Sequence, residues 1–148
     1  TGCATLLAAS DTQYLPGTTI TSPNGAYTLT FNGAIYLYPT AAGIEQYVWS
    51  SSMIYQNPPA AVGGGVPTTS PSNYMTMQTN GEFDLWYPGP GLYSAPGSDG
   101  PTIVFASNTT GAGNTLAVQN DGNLVVYSAA NTALWATNTV TGTPCPAP

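Results

Sequence analysis

Nine consecutive residues, Gln119-Asn120-Asp121-Gly122-Asn123-Leu124-Val125-Val126-Tyr127, hold the densest set of chemically useful side chains in the chain. Alternate side chains of an extended strand share a face. Asn123, Val125 and Tyr127 therefore point one way, onto an outer face with Gln119, and Asp121 sits at the turn beside them. Two amides, a carboxylate and a phenol supply both donors and acceptors, and an ionised carboxylate is the strongest acceptor of the group. Sugar hydroxyls, which donate and accept at once, call for such a set. Val125 adds an apolar patch for the C–H side of a sugar ring. The same residues also suit a soluble outer face ending in an Asx-type turn, and their chemistry alone leaves both readings open.

A second constellation is the pair Glu82 and Asp84, two apart on a strand and so on one face. The chain has no Lys, Arg or His, so no side chain within it can neutralise the pair. Mutual repulsion should raise at least one of the two carboxyl pKa values. The pair is expected to stay hydrated at the surface rather than to hold calcium, although two acids with a neighbouring Asn can supply oxygen ligands. Nothing else near it resembles a glycosidase site, and catalysis is not expected.

Composition narrows the options further. The formal charge is −6, and only 4% of residues are charged. A chain without cations cannot clamp phosphates, which argues against nucleic acid, and an anionic membrane surface would repel it. No general base is offered by His or Lys, and two Cys without His cannot build an ordinary zinc site. No cofactor is implied. No apolar run reaches membrane-spanning length. Thr1 reads as the start of a mature chain, and the sequon Asn108-Thr109-Thr110 makes Asn108 a candidate glycosylation site. Together these features fit a secreted protein that meets neutral, hydroxyl-rich partners.

The elements that must position these residues repeat three times. AYTLTFNGAIYLY (26–38), YMTMQTNGEFDLWY (74–87) and TLAVQNDGNLVVY (115–127) each join two alternating strands through Asn-Gly or Asp-Gly. That dipeptide is the strongest short hairpin signal, because both central residues of the favoured two-residue turn need positive φ. Each hairpin is followed by an aliphatic, an aromatic and small hydroxyl residues: Val48-Trp49-Ser50-Ser51-Ser52, Val104-Phe105-Ala106-Ser107-Asn108, and Leu134-Trp135-Ala136-Thr137-Asn138. No helical period appears. The 148 residues read as one all-β domain, 1–148, of three diverged units over roughly 14–52, 74–108 and 115–139. The Pro/Gly/Ser-rich stretches 56–72 and 88–101 read as loops inserted on that core. Leu116, Val118, Leu124 and Val126 should face the core, and Trp49, Phe105 and Trp135 should meet at its centre.

QNDGNLVVY matches all five defining positions of the Gln-x-Asp-x-Asn-x-Val-x-Tyr signature of the bulb-type (monocot mannose-binding) lectins. Trp135-Ala136-Thr137-Asn138-Thr139 resembles that family's Trp-Ala-Ser/Thr-Asn-Thr segment. Pro16-Gly17-Thr18-Thr19-Ile20 and Gly25-Ala26-Tyr27-Thr28-Leu29-Thr30-Phe31 resemble its first repeat. The resemblance covers roughly residues 14 to 139. It implies a β-prism II fold of three four-stranded antiparallel sheets about a pseudo-threefold axis. It also implies calcium-independent binding of mannose or mannose-containing glycans. By the same resemblance Asp121 and Asn123 would hold the axial 2-hydroxyl, Gln119 the 3-hydroxyl and Tyr127 the 4-hydroxyl, with Val125 against the ring. The second copy keeps Gln78, has Asn80 at the Asp position, and puts Glu82, Asp84 and Trp86 in place of Asn, Val and Tyr. The first has a shortened turn, lacks the Gln and puts Ala34 in place of Asn. Both are expected to be inactive toward mannose.

Cys3 and Cys145 lie near opposite ends, and a bridge would close a loop worth up to ~4–5 kcal/mol in the chain-entropy model. Free thiols and an interchain bridge are the alternatives. A prism closed by its terminal strands would bring the two together within one chain. Family members commonly dimerise by exchanging strands, which implies a homo-oligomer. The competing reading is an extracellular structural protein, in which the fold is a scaffold that self-assembles into a coat or filament, favoured by a nearly uncharged surface and the placement of the two Cys.

Overall fold

The computed structural model describes residues 2–51, 73–87 and 102–148. The stretches 56–72 and 88–101, expected to be loops, lie outside the described residues. Apart from a 3₁₀ turn at Ile44–Gln46, the described elements are strands. β1 spans Ala4–Ala8, β2 Thr19–Thr21, β3 Tyr27–Asn32, β4 Ala34–Pro39 and β5 Trp49–Ser50. β6 spans Tyr74–Met77, β7 Phe83–Tyr87, β8 Thr102–Ala106, β9 Thr115–Gln119, β10 Leu124–Tyr127 and β11 Ala133–Ala136.

They form three antiparallel sheets, ordered β2-β3-β4-β5, β6-β7-β8 and β1-β9-β10-β11. The second has three strands where four were expected. Its outer position is taken by the segment before β2, which touches β6 only through a single bridge, Tyr14 to Met75, and the Ser10 amide donating to the Met77 carbonyl at 3.0 Å. The third sheet obtains its fourth strand from the other end of the sequence: β1 pairs with β9, with Ala4 opposite Gln119 and Leu6 opposite Ala117.

Alternation puts the same positions of each hairpin inside. Leu29, Phe31, Ile35 and Leu37 from the first, Met75, Met77, Phe83 and Leu85 from the second, and Leu116, Val118, Leu124 and Val126 from the third form one buried cluster. Trp49, Phe105 and Trp135 close it as a triangle. Their ring centroids are 5.4 Å (Trp49–Phe105), 5.7 Å (Trp49–Trp135) and 5.7 Å (Phe105–Trp135) apart, all edge-to-face, the arrangement that ring quadrupoles favour. Two residues beyond each aromatic a hydroxyl accepts a hairpin amide. Ser51 Oγ accepts from Ile35, Ser107 Oγ from Phe83 and Thr137 Oγ1 from Leu124, at 2.9, 2.9 and 3.1 Å. The repeated aromatic-x-hydroxyl pattern thus has a structural cause: the aromatic fills the axis, and the hydroxyl satisfies an amide at the start of the returning strand, which burial would otherwise leave unpaired. This is the β-prism II fold.

The hairpin turns differ from the expected two-residue form. Gly81 and Gly122 have positive φ (99° and 87°), whereas Asn80 and Asp121 do not. The Gly81 amide donates to the Gln78 carbonyl and the Gly122 amide to the Gln119 carbonyl, at 2.9 and 3.2 Å. This is a longer turn with a left-handed glycine at its exit. The first hairpin, by contrast, is shorter. Thr30 faces Tyr36, six positions on, whereas Thr76 faces Asp84 and Ala117 faces Val125, eight positions on. The two missing residues are those that would carry the signature's turn.

Candidate carbohydrate-binding site

The outer face of the third sheet collects the signature residues, but it does not leave them open to water. Gln119, Asp121, Val125 and Tyr127 are 2%, 4%, 2% and 6% exposed, and Asn123 is half-buried. The expectation of a solvent-facing row is therefore corrected. Ala4 from β1 and Ala117 from β9 pack with Val125 and Tyr127 in a small apolar cluster, and Ala136 adjoins it. Short side chains on the flanking strands let the neighbouring backbone close in around the motif.

Its polar groups are engaged with one another. Asp121 Oδ1 accepts from the Asn123 amide at 2.9 Å, an Asx turn that shapes the hairpin. Asp121 Oδ2 accepts from the Cys145 amide at 2.8 Å. The Gln119 amide nitrogen, oriented toward the carboxylate, donates to Asp121 Oδ1 and Oδ2 at 3.1 and 3.2 Å, while its oxygen accepts from the Tyr127 hydroxyl at 2.7 Å. The opposite orientation would turn the amide oxygen to a carboxylate, and the hydrogen-bond network decides such assignments. Asn123 Oδ1 accepts from Thr137 Oγ1 at 3.1 Å and from the Thr139 amide at 3.3 Å. Thr139 Oγ1 donates to the Gly122 carbonyl at 2.5 Å, tying the segment after β11 to the turn.

Gly122 is held by more than its φ. A Cβ there would stand 2.7 Å from Cζ of Tyr27, whose hydroxyl is 2.6 Å from Thr141 Oγ1. The turn is thus wedged between the first repeat and the segment leading to Cys145. Asn120 completes the clamp: its amide donates to the Cys3 carbonyl at 2.8 Å, and its Oδ1 accepts from the Asn24 amide at 2.9 Å.

Thr137, Thr139 and Cys145 are members of the site that sequence reasoning missed. The hydroxyl spacing in Thr137-Asn138-Thr139 was the available signal. Nothing in the sequence tied Cys145 to Asp121. The two Cys themselves form the bridge expected within one chain, Cys3 to Cys145, with Cα atoms 5.8 Å apart.

The corresponding face of the second sheet is built differently. Asp84 lies opposite Thr76, and Trp86 opposite Tyr74, with the two rings stacked at 6.1 Å. Asp84 is fully buried, which corrects the expectation of a hydrated pair; Glu82 alone is partly exposed. Both Asp84 oxygens, Trp86 Nε1 and Thr76 Oγ1 lack a hydrogen-bond partner among the described residues. Burial first, and the adjacent Glu82 carboxyl second, push the Asp84 carboxyl up to about 8. The expected direction holds, but loss of water is the larger cause. In the first copy Tyr36 takes the position of Val125, packing against Tyr47 at 5.4 Å, and the Tyr38 hydroxyl is 2.8 Å from Thr30 Oγ1. Asn108 is exposed, with φ of 57°, while Thr109 is buried and donates to the Gly81 carbonyl at 2.6 Å. No group of three or more acidic or Cys residues capable of holding a metal occurs among the described residues, and no described helix is long and apolar enough to cross a membrane.

No protein-family model matches the chain, and no curated relative does. Solved structures match over nearly its full length. A monomeric monocot mannose-binding lectin from Gastrodia elata is 21% identical, with a TM-score of 0.59, covering 92% of this chain and 98% of its own. A Marasmius oreades lectin is 24% identical at a TM-score of 0.61, covering 94% and 92%. The mannose-specific agglutinin of snowdrop (Galanthus nivalis) bulbs, solved with methyl-α-D-mannoside, is 22% identical at 0.52, covering 93% and 98%. At these identities the likeness establishes the fold, that of the bulb-type lectins.

Proposed function

We propose that the chain is a secreted, non-enzymatic lectin of the bulb-type family that binds mannose or mannose-containing glycans at one site in the third repeat. Gln119, Asp121, Asn123, Val125 and Tyr127 form that site. The observation that carries the reading is convergence: a carboxylate, two amides and a phenol from one hairpin meet around Val125, on a fold shared with proteins described as mannose-binding and mannose-specific. Asp121 and Asn123 would read the axial 2-hydroxyl, Gln119 the 3-hydroxyl and Tyr127 the 4-hydroxyl, because buried polar groups built for a hydroxyl discriminate strongly against its absence. The first hairpin lacks the two turn residues, and the second puts Asp84 where the ring would pack. These changes support a single site.

Asn108 is a candidate glycan acceptor, since it is exposed. A homo-oligomer would supply the avidity that one weak site lacks. Leu6 and Leu134, exposed on β1 and β11 at the two edges of the third sheet, are candidates for the contact. The test is titration with methyl α-mannoside, followed by NMR. Chemical-shift changes are expected in the Gln119–Tyr127 hairpin and not in Gln78–Trp86. A response equal for the mannoside and the glucoside would remove Asp121 and Asn123 from the assignment.

A further inference from the structure

One acceptor of the sugar site proposed above is engaged by the protein's own C-terminal segment. Asp121 Oδ2 is taken by the backbone amide of Cys145 at 2.8 Å, on a carboxylate that is 4% exposed. On the proposed reading, this N–H competes with a sugar hydroxyl for the same carboxylate. The segment bearing it is anchored at Thr141, whose hydroxyl also meets the Tyr27 hydroxyl at 2.6 Å, and at the bridge. The Thr141 amide donates to the Asp121 carbonyl at 2.7 Å, and Cys145 is covalently joined to Cys3. Cys3 is itself fixed beside the turn by the Asn120 amide. Between these anchors the segment makes little else. Gly142, Thr143 and Pro144 are exposed, and Gly142 has φ of 74° with open space around its Cα.

A donor tethered next to its acceptor competes at the high effective concentration of an intramolecular partner. An incoming sugar must displace it, so the apparent affinity falls by the fraction of time the carboxylate is free. The tether is a disulfide, and a disulfide can be opened. A dithiol gives two electrons and two protons to the Cys3–Cys145 bond, leaving two thiols on the protein and a cyclic disulfide as the by-product. The remaining anchors are the hydrogen bond of the Cys145 amide and those of Thr141, which precedes the exposed residues 142–144.

We infer that residues 142–148, held by the Cys3–Cys145 bridge, are a built-in competitor for the third-repeat sugar site, and that opening the bridge releases the site. The inference rests on the lectin reading and adds its regulation.

The experiment uses the full chain, oxidised or reduced with dithiothreitol, together with the Cys3→Ser/Cys145→Ser variant, each titrated with methyl α-mannoside. Near-ultraviolet circular dichroism checks that the aromatic core is intact. The reduced and variant forms are expected to bind at least tenfold more tightly than the oxidised form. In the oxidised protein, the Cys145 amide is expected to exchange with deuterium faster as mannoside is added. Equal affinity in all three forms, or saturation of the oxidised protein with that amide still protected, would overturn the competitor and leave the lectin intact. Absence of binding in every folded form would overturn the site assignment and the competitor with it. If the reduced and variant forms unfold, the Cys145 amide in the oxidised protein decides alone.

Discussion

Asn123 shows how much depends on one side chain at the residue scale. Its oxygen is fixed by Thr137 and Thr139, which frees its NH₂ group to address a ligand in one orientation. Asn123→Ala is expected to abolish mannoside binding and cost about 1 kcal/mol of stability, read by titration and urea unfolding. Thr137→Val, similar in shape, is expected to weaken binding at least several-fold by releasing that oxygen, although Thr137 touches no sugar in the assignment.

Asp84 makes a prediction of a different kind. Its carboxyl ionises near 8 in the folded protein and near 3.8 when unfolded. The folded state therefore holds the proton over that interval and the unfolded state does not. Its contribution to stability is fully present below about 4 and is lost as pH rises through about 8. Asp84→Asn is expected to flatten this fall, so that the variant gains several degrees in Tm over the wild type at pH 9 and much less at pH 4. Parallel melting curves across the interval check it.

At the scale of elements, the hairpin and its hydroxyl partner form the unit of construction. Ser107→Ala leaves the Phe83 amide unpaired in the core and is expected to cost about 1–3 kcal/mol, with a similar loss for Ser51→Ala, both measured by chemical unfolding. Gly122→Ala combines a left-handed backbone with a Cβ driven into the Tyr27 ring and is expected to cost on the order of 3 kcal/mol. Gly142→Ala has comparable backbone geometry but open surroundings, and should cost about 1 kcal/mol; the difference isolates the wedge.

Legibility in the sequence follows the range of the interactions. Strand alternation placed Leu116, Val118, Leu124 and Val126 in the core, and the aromatic recurrence placed Trp49, Phe105 and Trp135 at the axis, because both are local patterns repeated three times. The exposure of Gln119, Val125 and Tyr127 was misjudged because alternation distinguishes two faces but not what lies over either. β1, Ala4 among its residues, reaches this face from more than a hundred positions away, as does the bridge to Cys145. Asp84 was misjudged for the same reason: two adjacent acids read as hydrated until the fold sets their burial. The turn geometry was missed because Asp-Gly serves both the two-residue turn and the longer one, and only the register separates them.

Taken whole, the molecule has no cationic side chain, so ion pairs between side chains contribute nothing to its cohesion. Asp11 illustrates the substitute: its carboxylate accepts from the Thr79 amide and hydroxyl, both at 2.8 Å, and these bonds hold its carboxyl below the usual range. The bridge gives a direct test. Intact, non-reduced protein analysed by mass spectrometry is expected to lack two hydrogens relative to the reduced chain and to remain a single chain. A covalent dimer would move the bond between molecules.

The third sheet, alone of the three, joins β1 to strands more than a hundred positions later. Loop closure over such a distance is slow, and non-local pairings dominate folding times. On a ribosome the first two sheets can be completed while the third still waits for β9 to emerge. The sheet that carries the proposed sugar site is therefore expected to mature last, and its disulfide to form after the aromatic triangle has begun to assemble. Pulsed hydrogen exchange during refolding from denaturant would follow the order directly: protection of Leu29 and Leu37 amides is expected to precede that of Leu7 and Val118, which stand opposite Leu116 and Thr5 across β1 and β9, and simultaneous protection would refute the sequence of events. A nascent chain of this kind is at its most vulnerable while β9 and β10 stand without their partner.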